Sequence, residues 1–73
     1  MNMTRLLRRK EAANYVTAKW GIPLSGQTLA KLAVIGGGPT YRKAGRFPLY
    51  EPSDLDEWAQ SRLGPKIRST SEA

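Results

Sequence analysis

The sequence contains no cysteine and no histidine. Without cysteine there is no disulfide, no thiolate nucleophile and no cysteine zinc site. Without histidine the other common nitrogen ligand for zinc is gone too. The lack of cysteine fits a reducing compartment. No apolar run approaches the roughly 20 residues that span a bilayer, so a membrane is not an expected partner. Met1 to Lys10 is basic but lacks the apolar segment of a secretory signal. At 73 residues the chain reads as one domain. A domain this small buries only about 60% of the surface its unfolded chain exposes, which leaves little room for an enclosed catalytic cleft. The only carboxylate cluster falls on a short predicted helix with no partner base. An enzyme is not expected, and no catalytic residue, metal ligand or cofactor is assigned.

Acidic residues are also scarce where basic ones are dense. Residues 1–50 carry nine Lys or Arg against Glu11 alone, a balance of +8. Residues 51–73 carry three against five acids, a balance of −2. Charge of this kind keeps many small proteins soluble. Its clustering points further, to a polyanion-binding face on one side of the molecule.

What is present is organised around Ser25 to Ile35. At 3.6 residues per turn, Leu29, Leu32 and Ala33 share one face, and Gln27, Lys31 and, less strictly, Thr28 point away from it. Ser25 is a good N-cap, and Gly36 to Gly38 end the helix. Its front suits base edges in a DNA groove, because Gln can pair with adenine and Lys can reach guanine or phosphate. An ordinary core helix with a solvated polar face has the same pattern.

Before this stretch, Met1 to Leu7 reads as a basic arm. Arg5, Arg8, Arg9 and Lys10 follow closely, suited to lying along phosphates or to a solvated terminus. The first helix is expected from about Arg9 to Lys19. Ala12, Val16 and Trp20 recur at i+4 spacing, with Ala13 and Tyr15 widening the stripe. Trp20 continues this apolar face and is read as a core anchor rather than a base-stacking platform. Gly21 to Leu24 forms the turn, with Gly21 as the left-handed cap and Pro23 as a stop. Two helices so joined make a helix-turn-helix candidate, with a turn longer than usual.

After it, Gly36-Gly37-Gly38-Pro39 follows a helix and lacks the Lys of a phosphate loop, so it reads as helix termination and a tight reversal. Thr40 to Tyr50 reads as a hairpin: Tyr41 to Ala44, a turn at Gly45, then Phe47 to Tyr50. Pro48 makes the second strand an edge. Arg42, Lys43 and Arg46 cluster at the tip with no acid expected nearby. That favours a DNA-gripping wing over an edge hairpin kept soluble by charge. The last helix is expected from Pro52 or Ser53 to Arg62. Either Pro52 takes the first position after Glu51, or Ser53 caps it. Asp54, Asp56 and Glu57 favour its dipole. Leu55, Trp58, Ala59 and Arg62/Leu63 mark its core face, and Gly64-Pro65 stops it. The acidity of this helix argues against DNA contact. The expected organisation is an arm over 1–7, a folded domain over 8–63 and a disordered tail over 64–73.

In this order the pieces resemble the excisionase-type, MerR-like winged helix-turn-helix family of small phage and mobile-element proteins. The likeness rests on Leu7, Arg9-Lys10-Glu11-Ala12-Ala13 and Tyr15. It continues through Gly21-Ile22-Pro23-Leu24-Ser25, Thr28-Leu29 and Gly36-Gly37-Gly38-Pro39. Tyr41, Gly45-Arg46, Tyr50, Ser53-Asp54-Leu55 and Trp58 complete it, so that it covers roughly residues 6–63. The resemblance implies a small α+β fold: two N-terminal helices, a two-stranded wing and a C-terminal helix.

In function the resemblance implies a sequence-preferring binder of double-stranded DNA. Such an excisionase, or recombination directionality factor, binds repeats and bends DNA so that a site-specific recombinase (integrase) can excise an integrated element. Ser25, Gln27, Thr28 and Lys31 would enter the major groove. Arg42, Lys43 and Arg46 would hold the wing on the backbone or in the minor groove. Arg8, Arg9 and Lys10 would add phosphate contacts. Head-to-tail self-association on DNA and a cytoplasmic, nucleoid-associated location in a bacterium follow from the same likeness. The family often has Thr at the position of Arg8, which leaves the start of the first helix less fixed here. It often has Pro and a basic residue at Gly26 and Gln27, and bulkier or basic residues at Ala30 and Ala33. Affinity should then rest more on arm and wing than on the second helix. A small transcriptional regulator of the same fold, or a basic module docking on an acidic protein, are the alternative readings.

Overall fold

The computed structural model describes residues 5–68. It runs α1 (Arg9–Trp20), α2 (Gly26–Ile35), β1 (Arg42–Ala44), β2 (Phe47–Leu49) and α3 (Pro52–Arg62). This is a small α+β fold in the order read from the sequence. Residues 1–4 of the expected arm and 69–73 of the expected tail lie outside the described residues.

Arg8 occupies the N-cap of α1 in extended conformation. Its side chain has no acceptor to offer the first turn. Glu11 compensates by accepting the Arg8 backbone N–H at 2.9 Å and pairing with Arg5 at 3.0 Å. Helix α1 ends at Gly21, whose φ of 73° takes the left-handed form and whose N–H reaches Thr17 O. The Thr17 hydroxyl donates to the Ile22 carbonyl at 2.9 Å and closes the turn. Helix α2 begins as expected, with Ser25 Oγ accepting the Thr28 N–H at 3.2 Å.

The glycine run does end α2, and it also serves the core. Gly36 and Gly37 adopt φ near 93° and 94°. The Gly37 carbonyl then accepts the Trp58 indole N–H at 2.9 Å. At Gly38 a Cβ would sit 2.9 Å from Leu32 Cβ, so only glycine lets the chain pass so close to α2.

The strands are shorter by one residue at their outer ends than expected. They pair Arg42 with Leu49, Lys43 with Pro48 and Ala44 with Phe47. Gly45 has φ 66° and Arg46 a negative φ, the signs of a type II′ turn, which matches the twist of a tight hairpin. Beyond β2, Leu7 and Tyr50 exchange both backbone hydrogen bonds at 2.8 Å. Tyr50 thus directs its amide away from β1. By strand alternation Pro48, two residues earlier, would direct its amide the same way, and there its missing N–H breaks no β1–β2 bond. The part of the arm nearest the domain is therefore stitched to the hairpin.

Helix α3 resolves the two capping options in favour of Glu51 as N-cap and Pro52 in the first turn. Its buried face is Leu55, Trp58 and Ala59. Leu63 is about half exposed and Arg62 is also exposed. This corrects the expectation that they close the core: Arg62 ends the helix with its guanidinium 5.3 Å from the Trp58 ring centre, and Leu63 follows as the extended C-cap. The core comprises Ala12, Ala13, Val16, Leu29, Tyr50, Leu55, Trp58 and Ala59, with Leu7, Tyr15, Trp20, Leu32 and Tyr41 packed around it. Small residues on α1 let α2 and α3 both pack against it. Val16 and Leu55 are fully buried, each worth roughly 1.5–3 kcal/mol of transfer free energy.

Candidate nucleic-acid interface

The N-terminal turn of α1 lies between α2 and the hairpin. On one side, the site of a Cβ on Gly26 lies 3.6 Å from Lys10 Cα, so the start of α2 rests on the backbone of α1. On the other side, Arg9 Nε donates to the Tyr50 hydroxyl at 3.2 Å and its guanidinium lies 5.7 Å from the Tyr41 ring centre. Arg8 lies 4.4 Å from the ring centre of Phe47. The basic start of α1 thereby adjoins both the start of α2 and the basic hairpin. Charge does not hold them together, since all are positive. Backbone contact and aromatic faces do.

On α2, Ser25, Gln27, Thr28 and Lys31 are all exposed, while Leu29 is buried and Leu32 and Ala33 are half-buried behind them. Gln27 and Lys31 are one turn apart on the outer face. Ser25 is committed to capping, with its Oγ also 3.0 Å from the Thr28 hydroxyl. Gln27 and Lys31 carry no such commitment.

The wing cations are not equivalent. Arg42 Nε pairs with Glu51 at 3.1 Å, which corrects the expectation that no acid lies near the hairpin. The reason is geometric: Glu51 is distant in the sequence pattern but caps α3 immediately after β2, across from Arg42 at the open end of the ladder. Lys43 and Arg46 are exposed and unpaired among the described residues. Arg9 is half-buried by its aromatic partners, whereas Arg8 and Lys10 are exposed.

At the far end of α1 the charge is neutralised. Asp56 accepts the Tyr15 hydroxyl at 2.9 Å, the Trp20 indole N–H at 3.0 Å and the Lys19 ammonium at 3.0 Å. Burial pushes the Asp56 carboxyl up, but the hydrogen bonds from Trp20, Lys19 and Tyr15 outweigh it and hold it below its ordinary value. The Lys19 ammonium donates to Asp56 and, at 3.3 Å, to the Tyr15 hydroxyl, and these bonds raise Lys19 above its ordinary value. Trp20 is thus held by a hydrogen bond at the core margin. Glu11, the acid nearest the basic turn, is held below its ordinary value first by the Arg8 amide. It stays ionised, turned toward Arg5 and the helix start.

Sequence reasoning missed Phe47 as part of this surface and Glu51 as its restraint. A lone aromatic beside a turn carries no periodic signal, and an ion pair nine residues apart depends on the hairpin's register. Among the described residues, no helix is long and apolar enough to cross a membrane. No protein-family model matches the chain, and no curated protein matches it.

Proposed function

We propose that the chain is a sequence-preferring DNA-binding accessory protein of the excisionase type, a winged helix-turn-helix that assists a site-specific recombinase in excising an integrated element. One observation carries the DNA-binding part. The basic first turn of α1 touches both the start of α2 and the hairpin, which supports reading the exposed Gln27 and Lys31 and the unpaired Lys43 and Arg46 as parts of one DNA-facing surface. In this reading α2 offers Gln27, Thr28 and Lys31 to base edges in the major groove. Lys43 and Arg46 hold the flanking backbone, and Arg8 and Lys10 hold phosphates between them. Arg42 contributes less, because Glu51 already neutralises it. The excisionase assignment rests on the ordered residues Leu7 to Trp58 that resemble that family.

The test is a titration of labelled duplex at several salt concentrations. Arg8, Lys10, Lys43 and Arg46 would neutralise about four phosphates, so log affinity should fall with log salt with a slope of about −3.6. A flat response removes the DNA reading and favours docking on an acidic protein. An excision assay with the cognate recombinase then separates roles: promoter effects without any effect on excision would make the protein a regulator instead.

A further inference from the structure

Between α1 and the start of α2 lies an open groove of about 410 Å³, lined by Lys10, Ala13, Asn14, Leu24, Ser25, Gly26 and Gln27. Its chemistry is divided. Half-buried Leu24 supplies apolar surface, with Ala13 buried beneath it in the core. Lys10, Asn14 and Gln27 are exposed around it. No carboxylate lines it, and the one acid next in sequence, Glu11, is engaged by Arg5 and the Arg8 amide. Asn14 has no hydrogen-bond partner within the described residues, and neither has Lys10. The two sit one turn apart on α1, on the same face.

We infer that this groove seats one sugar–phosphate strand of the duplex, with Asn14 as a backbone-holding residue beside Lys10. The inference rests on the DNA reading above and adds a site to it. A DNA strand is amphipathic in the same way as the groove: deoxyribose offers apolar CH surface, and each phosphate offers anionic acceptors. The sugar lies on Leu24. The Lys10 ammonium and the Asn14 carboxamide N–H donate to the phosphate. The site carries no base contact, so it fixes the position of α2 without adding sequence preference.

The experiment compares Asn14→Ala, Asn14→Asp and Gln60→Glu with the wild type on a preferred and a random duplex across salt. Gln60 is exposed on α3, so its variant makes the same change in net charge away from the groove. Asn14→Ala should weaken both duplexes about fivefold, the worth of one hydrogen bond, and leave the salt slope unchanged, because a neutral donor releases no counterion. Asn14→Asp should weaken both by at least about tenfold, since the new carboxylate repels phosphate and pairs with Lys10. Gln60→Glu should stay within about twofold, as a distant exposed charge is screened. Thermal melts confirm that each variant is folded. If the wild type binds with its salt slope but Asn14→Asp matches Gln60→Glu, the groove is not a strand seat and the DNA reading stands. If the wild type shows no salt-dependent binding, the reading itself fails.

Discussion

Arg8 carries its guanidinium 4.4 Å from the centre of the Phe47 ring, which joins the start of α1 to the hairpin's second strand. Phe47 is 49% exposed, which leaves its face open to the cation. Such a contact is worth about 0.5–1 kcal/mol at an exposed site. Phe47→Ala should therefore lower the melting temperature only slightly while weakening binding to every duplex. Arg8→Ala should do the same, and the double variant should lose less than the sum of the two losses. Additive losses in anisotropy titrations would mean that the ring does not position the guanidinium.

Asp56 ties both ends of the Tyr15–Trp20 segment to α3. Its carboxyl lies below its ordinary value of 3.8, so the native state favours the ionised form. The stability it contributes is complete above pH 3.8 and is lost as the pH falls through the lower native value. Asp56→Asn should cost about 1–2 kcal/mol near neutrality. It should also flatten the acid limb of the stability profile below pH 3.8. Urea melts from neutral to acidic pH read both effects.

Two glycines should respond oppositely to alanine. At Gly38 the added methyl meets Leu32 Cβ at 2.9 Å, and the crowding should cost about 1–3 kcal/mol. At Gly26 it would make ordinary contact at 3.6 Å with Lys10. There it should stabilise by about 0.4–1 kcal/mol by restricting the unfolded chain. Equilibrium denaturation of the two variants provides the comparison.

Lys31 and Arg46 should separate by role. Lys31→Ala should shrink the ratio of preferred to random affinity, because it removes a contact to base edges. Arg46→Ala should weaken all sequences alike and reduce the salt slope by about 0.9. Identical behaviour of the two on both duplexes would overturn the assignment.

Glu51 restrains Arg42 at 3.1 Å. An exposed pair of this kind stabilises by about 0–1 kcal/mol, so Glu51→Gln should leave the fold nearly as stable. It should free one more cation on the hairpin and steepen the salt slope by about 0.9. A weaker binder with an unchanged slope would show that Arg42 does not reach the duplex.

Local signals made the element order legible. Ser25 caps α2, Gly21 and Gly45 take the positive φ their turns need, and Ala12, Ala13 and Val16 mark the inner face of α1. What escaped depends on contacts between distant residues. Asp56 was read as a helix-dipole charge, and it is the acceptor for side chains 36 to 41 residues away. The glycine run reads in sequence as helix termination and a tight reversal, and the small size of Gly38 matters because Leu32 lies beside it. The candidate site was legible as a set of cations and one polar helix face. Which cations are spent within the fold was not, because Arg42 and Glu51 meet only once the hairpin's register is fixed.

The stitch between Leu7 and Tyr50 bears on crowding. It occupies the outer side of the chain just past β2, and Pro48 leaves the preceding outward position without a donor. On the opposite margin β1 is only three residues long and carries Arg42 and Lys43. A strand from a neighbouring copy meets a paired segment on one margin and a short, exposed, basic edge on the other. Margins of this kind oppose growth of the chain into fibres.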